Sequence, residues 1–223
     1  MRPTEEGARR KIGVKICGIT KLDDALHAAT CGAGWIGFVL ADSPRRCSLD
    51  QAAAISGALA VRYPQVGRVG VFVDPSPEEI HGAAKAARLT HVQIHGALPP
   101  RRLDDLPTIR AIPLASAAGA RWPSDDGEPD PWAVLVEPKR EGLRGGTGRA
   151  FPWEWATPLL DRGRVFVAGG LDAAAVAGLL SRFRPFAVDA SSRLEREPGV
   201  KDPAKVRAFV DAVRIATGAR TAP

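Results

Sequence analysis

Three side chains in this sequence combine a chemically capable group with a position at the end of an apolar run. Cys17 closes Val14-Lys15-Ile16 and is followed at once by Gly18. Glu137 closes Trp132-Ala133-Val134-Leu135-Val136, and Asp189 closes Phe186-Ala187-Val188. A short apolar run ending in a polar or ionisable residue is what a strand produces when its exit faces a pocket. A thiolate and a carboxylic acid set opposite each other form a proton-transfer pair, with Cys17 as base and Glu137 as donor. By itself a strand-end cysteine is more often a small buried hydrophobe, so the gathering of polar groups at one rim carries more of the inference than the thiol.

Two further stretches point to phosphate. Gly169-Gly170 follows the run Val165–Ala168, and Ser191-Ser192 follows Asp189-Ala190. Glycines let backbone N–H groups approach an anion closely, and hydroxyls add donors. The cluster Gly145-Gly146-Thr147-Gly148 lacks the lysine and the spacing of a nucleotide-binding P-loop. It reads as a lid or as a plain flexible loop. His91 and His95 lie four apart on one strand, with no third ligand at metal spacing, so zinc is not expected.

These groups need a frame, and the chain supplies one by alternation. β-rich runs are expected near 13–17, 35–40, 69–73, 91–94, 108–112, 132–136, 165–168 and 186–189. Helical runs separate them: Leu22 to Cys31, a helix opened by Ser48 or Asp50, one capped by Ser76 with Pro77 at its first position, and a short one around Pro100–Leu106. Others follow near Trp153–Leu160, from Asp172 to Ser181, and from Pro203 to Ile215. Residues 113–131, rich in Ala, Gly, Pro and Asp, allow at most a short or irregular helix. Eight strands and seven or eight helices in 223 residues fit a single closed (β/α)8 TIM barrel better than an open sheet. In such barrels the strand C-termini carry the active site, which is where Cys17, the Ser43–Arg46 loop, Asp74, His95, Glu137, Gly169, Gly170, Asp189, Ser191 and Ser192 fall. Residues 1–12 are expected as a flexible extension, 13–218 as the barrel and 219–223 as a tail.

Composition narrows the function classes. The three cysteines make no CxxC pair and are odd in number, so a reduced, cytoplasmic setting is expected. No apolar run approaches membrane-spanning length, and Met1 to Arg10 is polar rather than signal-like. The formal charge of +6 favours anionic ligands, but the arginines are scattered and no nucleic-acid motif accompanies them. A small phosphorylated anion is the expected partner, with neither nucleic acid nor membrane. Monomer and homodimer both remain open.

The ordered set Lys15-Ile16-Cys17-Gly18-Ile19-Thr20, Gly37-Phe38-Val39, Ser43-Pro44-Arg45, Val69–Val73, Val92-Gln93-Ile94-His95-Gly96, Gly145–Gly148, Ala168–Leu171, Asp189–Ser192 and Pro198–Asp202 resembles the phosphoribosylanthranilate isomerase family. The resemblance runs from about residue 13 to the last helix. It implies a TIM barrel of tryptophan biosynthesis that performs an Amadori rearrangement of N-(5-phosphoribosyl)anthranilate without metal or organic cofactor. It also implies Cys17 as base, Glu137 as acid, and Arg45, or Arg46 on an ungapped alignment, as the clamp on the anthranilate carboxylate. Gly169, Gly170, Ser191 and Ser192 would cradle the phosphate, while Asp189 and His95 would contact the substrate.

Two positions depart from the family pattern. Aspartate is usual where Glu137 stands, and glycine is usual where Arg193 stands. Arg193 either adds a phosphate contact or crowds the pocket. The departures keep two alternatives in view, a related isomerase for a different N-glycosyl phosphate and a catalytically weak ligand-binding barrel. The histidine-pathway isomerase is a poorer match, since it uses two aspartates and shows internal two-fold similarity.

Overall fold

A computed structural model describes residues 11–98, 103, 106–139 and 152–218. Eight parallel strands close into a barrel in the order β1 (Gly13–Cys17), β2 (Trp35–Val39), β3 (Gly67–Val73), β4 (His91–His95), β5 (Thr108–Leu114), β6 (Ala133–Pro138), β7 (Val165–Val167) and β8 (Ala187–Ala190). Helices α1 (Leu22–Cys31), α2 (Leu49–Arg62), α3 (Pro77–Ala86), α4 (Thr157–Leu160), α5 (Ala173–Leu180) and α6 (Pro203–Ala216) lie between strands or after the last.

Local chemistry sets the helix starts. Ser48 and Ser76 each accept from the backbone N–H three residues on, and Gln51 and Glu79 reach back to complete the capping boxes. Asp172 and Asp202 cap α5 and α6 in the same way. The expected alternation weakens between β5 and β6, where the described chain forms only two 3-10 turns, Ala117–Gly119 and Pro123–Asp126. Pro123, Pro129 and Pro131 remove N–H donors that a regular helix needs there. The helix expected around Pro100–Leu106 falls mostly outside the described residues, as does the Gly145–Gly148 cluster. Ile12, on the extension side of the expected boundary, is buried in the core.

Side-chain parity divides each strand into an outer face packed on helices and an inner face within the barrel. Ile16, Ile36, Phe38, Val92, Ile94, Val134 and Val136 join the outer core with Phe209, Leu59 and Leu179 from the helices. Val69, Ile109, Ala111, Leu135, Phe166 and Ala168 fill the interior.

The N-terminal mouth is closed by an aromatic plug. Trp35 lies 5.1 Å from Phe166, and Trp132 packs 4.7 Å from His91 and 5.7 Å from Phe186. Gly13 and Gly67 flank Trp35, and a Cβ on either would lie within 2.5 Å of its indole. With that end filled, ligands have only the opposite mouth.

Candidate active site at the C-terminal mouth

Lys15 occupies the middle of β1, fully buried, with its Nζ 2.9 Å from Oδ1 of Asp189 on β8. The two residues are direct neighbours in the β1–β8 register, so the ion pair spans one rung of the barrel. Two residues further along the same face stands Cys17. Burial pushes its thiol up, and the Lys15 ammonium works the other way. Burial also opposes the charge on Lys15, but Asp189 and Cys17 more than compensate, and its pKa lies above the ordinary value. The site therefore keeps a fixed cation beside a thiol that is 7% exposed.

Space for the sulfur comes from the next strand. Gly37 is the register partner of Cys17, and a Cβ there would lie 2.8 Å from Sγ. Gly18, at φ +72°, lets the chain leave β1 directly under the Arg45 side chain and the Ser191 hydroxyl.

Across the mouth, the Glu137 carboxylate sits 3.0 Å from Nδ1 of His95. The other ring nitrogen of His95 lies 2.7 Å from the Gln93 amide, deeper on the same face of β4. Between Glu137 and the Lys15–Asp189 pair opens a pocket of about 80 Å3 lined by Glu137, Gly169, Gly170, Asp189, Ser191, Ser192 and Arg193. Gly169 and Gly170 have φ of +104° and +70°, the turn conformation that favours glycine and turns backbone toward the pocket. The 3-10 turn Ser192–Leu194 begins at Ser191 on the facing side.

Of the residues expected at the rim, Glu137, Gly169, Gly170, Asp189, Ser191 and Ser192 line one opening, Cys17 and His95 stand beside it, and Asp74 has another role. Asp74 accepts from the Ala97 backbone N–H at 2.6 Å, and its own N–H donates to the His95 carbonyl, so it ties β3 to the β4 loop. His91 is separated from His95 by the length of the strand and belongs to the aromatic plug, so the two imidazoles do not converge.

The two candidate arginines also separate. Arg45 donates through Nε to both oxygens of Glu195 at 3.0 and 2.9 Å and packs over Gly18. Arg46 lines a different groove between α2 and α3.

Four contributors escaped the sequence reading. Lys15, Gly37 and Gln93 lay inside apparently structural strand interiors. The fourth is a hairpin, β9 (Glu195–Glu197) and β10 (Val200–Lys201), whose signal was the Pro198-Gly199 turn dipeptide. Its buried Lys201 pairs with Glu195 at 2.7 Å, and Thr20 donates to the Gly199 carbonyl at 2.6 Å. Glu195 thus anchors Arg45 from below while the hairpin fastens the β8 exit to the β1 exit.

A closed parallel barrel, plugged below, with a thiol and a carboxyl beside a Gly-Gly/Ser-Ser pocket above, defines a TIM-barrel protein with a candidate site for a small ligand. The N-(5'-phosphoribosyl)anthranilate isomerase family profile matches residues 14–212, and the chain belongs to that family. The N-(5'-phosphoribosyl)anthranilate isomerase of Rubrobacter xylanophilus is 41% identical over 211 residues, covering 90% of this chain and 98% of the relative. The crystal structure of phosphoribosyl anthranilate isomerase from Thermus thermophilus superposes with a TM-score of 0.79 at 40% identity, covering 92% of this chain and 99% of that one. A third relative, solved in complex with reduced 1-(o-carboxyphenylamino)-1-deoxyribulose 5-phosphate, has a TM-score of 0.77 at 33% identity, covering 91% of this chain and 98% of its own.

Proposed function

We propose that this chain is the phosphoribosylanthranilate isomerase of tryptophan biosynthesis, converting N-(5-phosphoribosyl)anthranilate to 1-(2-carboxyphenylamino)-1-deoxyribulose 5-phosphate. The observation that carries the reading is the juxtaposition at one mouth of Cys17, Glu137 and the glycine–serine pocket, in a chain of this family. An aldose-to-ketose shift needs one acid and one base on a held substrate, and this mouth offers both.

In the proposed reaction Glu137 gives its proton to the furanose ring oxygen. The amine lone pair opens the ring to an iminium, and the Cys17 thiolate removes the proton from C2′. The resulting enolamine tautomerises to the ketone. Lys15 supplies a buried positive charge beside the thiolate, where low polarity makes such a charge more effective than in water. Gly169, Gly170, Ser191, Ser192 and Arg193 hold the phosphate, with N–H and O–H groups donating to its oxygens. Asp189 faces the sugar while remaining paired to Lys15. Arg45, rather than Arg46, holds the anthranilate carboxylate, because only Arg45 packs beside the β1 exit.

Steady-state turnover of freshly prepared phosphoribosylanthranilate, followed by loss of its fluorescence, tests the proposal on wild type and Cys17→Ser. Robust wild-type turnover that disappears in a folded Cys17→Ser variant is expected. A well-folded wild type without turnover would sink the substrate assignment, and an active Cys17→Ser would remove the thiolate base.

A further inference from the structure

His95 was expected to touch substrate, yet both of its ring nitrogens face partners within the protein. Nδ1 meets the Glu137 carboxylate at 3.0 Å, and Nε2 meets the Gln93 amide nitrogen at 2.7 Å. Gln93 is 3% exposed in the barrel interior, and its Oε1 is buried with no hydrogen-bond partner among the described residues. An orphaned buried amide oxygen costs stability, so its presence beside a catalytic candidate calls for a reason.

The proton inventory supplies one. A neutral imidazole carries one N–H and one lone pair. With Glu137 ionised, Nδ1 must hold the proton, and Nε2 then accepts from the Gln93 NH2 group, which fits the 2.7 Å contact between Nε2 and the amide nitrogen. With Glu137 protonated, its O–H donates to Nδ1, the ring proton sits on Nε2, and Gln93 must present an oxygen. Rotation of the amide about its last torsion places the orphaned Oε1 where that proton points. One side chain thus satisfies the imidazole in either state, and the carboxyl need not move between them.

We propose that Gln93 and His95 are positioning residues for Glu137: the buried amide satisfies whichever tautomer the carboxyl imposes on the imidazole, and the imidazole fixes the carboxyl of the longer acid at the pocket edge. The inference rests on the reading of Glu137 as the proton donor for its catalytic meaning, but not for its structural content. His95 reaches the pocket only through Glu137, which lines it while His95 does not. Glutamate has one more rotatable bond than aspartate, and the imidazole contact removes that freedom.

The decisive experiment is 15N NMR of the imidazoles in the ligand-free protein near neutral pH. The chain has four histidines, and a His95→Asn variant assigns the signal. His95 should carry its proton on Nδ1 and none on Nε2, the minority tautomer of a free imidazole, and Gln93→Glu, whose carboxylate can only accept, should draw a proton onto Nε2. In turnover, Gln93→Leu should lower kcat roughly tenfold with KM within about twofold, as expected when a catalytic group loses orientation rather than the substrate its grip. A wild-type His95 protonated on Nε2 while the carboxyl carbon resonance of Glu137 shows it ionised, or an Nε2 that takes up no proton in Gln93→Glu, overturns the proposal. The wild-type spectrum decides even if the variant does not fold. Full turnover by Glu137→Gln with the Nδ1–H tautomer intact in wild type would instead sink the acid assignment and leave the positioning chain standing.

Discussion

Lys15 and Asp189 form an ion pair inside the barrel, 2.9 Å apart on adjoining strands, directly below the thiol of Cys17. Each charge is tolerable there only because the other is present: breaking such a pair leaves an uncompensated buried charge, at a cost of roughly 3–5 kcal/mol. Asp189→Leu should therefore lose stability on that scale in urea unfolding, and Lys15→Met/Asp189→Leu should recover most of it. A double variant as unstable as the single one would show that the charges do not depend on each other. With Lys15→Met alone, alkylation of Cys17 should require higher pH, because the cation that favours the thiolate is gone.

Gly37 is the wall of the thiol's compartment. In Gly37→Ala the new Cβ would stand 2.8 Å from Sγ and 3.2 Å from the Cys17 Cα, too close for either to stay. Overpacking of this kind costs about 1–3 kcal/mol. Turnover should fall by about a hundredfold, since displacement of a reacting atom by even an ångström has that effect. Activity and melting temperature both near wild type would show that Cys17 is not held against β2.

Glu137→Asp restores the family's usual residue but withdraws the carboxyl from His95 by one methylene. The 3.0 Å contact cannot persist with β4 and β6 fixed by the barrel. The expected result is a fall in kcat of roughly ten- to a hundredfold. A gain would mean that the longer side chain handicaps this enzyme and that the His95 contact is incidental.

Arg193 borders the Gly169–Ser192 pocket on an exposed turn. Arg193→Ala should weaken binding of the phosphorylated product analogue by about tenfold at low salt and leave kcat little changed, consistent with one charge-assisted hydrogen bond. Isothermal titration with the reduced product analogue measures this. Unchanged affinity would make Arg193 a surface replacement without a role.

His91, in the plug, gives a pH signature unrelated to catalysis. Burial, reinforced by the Arg68 charge, lowers its pKa to about 4. Between pH 6.5 and 4 the unfolded chain therefore takes up a proton that the folded chain refuses, and stability falls as pH falls through that window. The full contribution is present above pH 6.5 and is worth up to about 3 kcal/mol. His91→Gln should flatten the difference between unfolding free energies at pH 7 and pH 4.5. Equal pH slopes for both proteins would mean that His91 titrates normally.

The barrel was legible because its signals are local. Ser48, Ser76 and Asp172 cap helices through side-chain oxygens that reach only three residues, and the strand runs are short, apolar and punctuated by glycine. Cys17, Glu137, Gly169 and Ser191 were visible as candidates for the same reason, since each ends such a run. Lys15 and Gln93 were hidden because a polar residue within a strand gives no sign from its neighbours of whether it faces water, a partner or a substrate. The 113–131 stretch resisted for the opposite cause: its prolines say what cannot form, not what does.

By itself, then, the sequence determined the eightfold alternation, the rim on which the chemistry gathers and the family to which the chain is similar, because all three follow from short-range patterning and motif order. Only the tertiary structure decided who pairs with whom. Lys15 finds Asp189 across 174 positions of sequence, Arg45 finds Glu195 across 150, and His95 finds Glu137 because β4 and β6 flank β5 and carry both side chains to the same mouth. Such pairings depend on barrel closure and inner-face register, which place distant residues within 3 Å and leave no trace in the spacing along the chain.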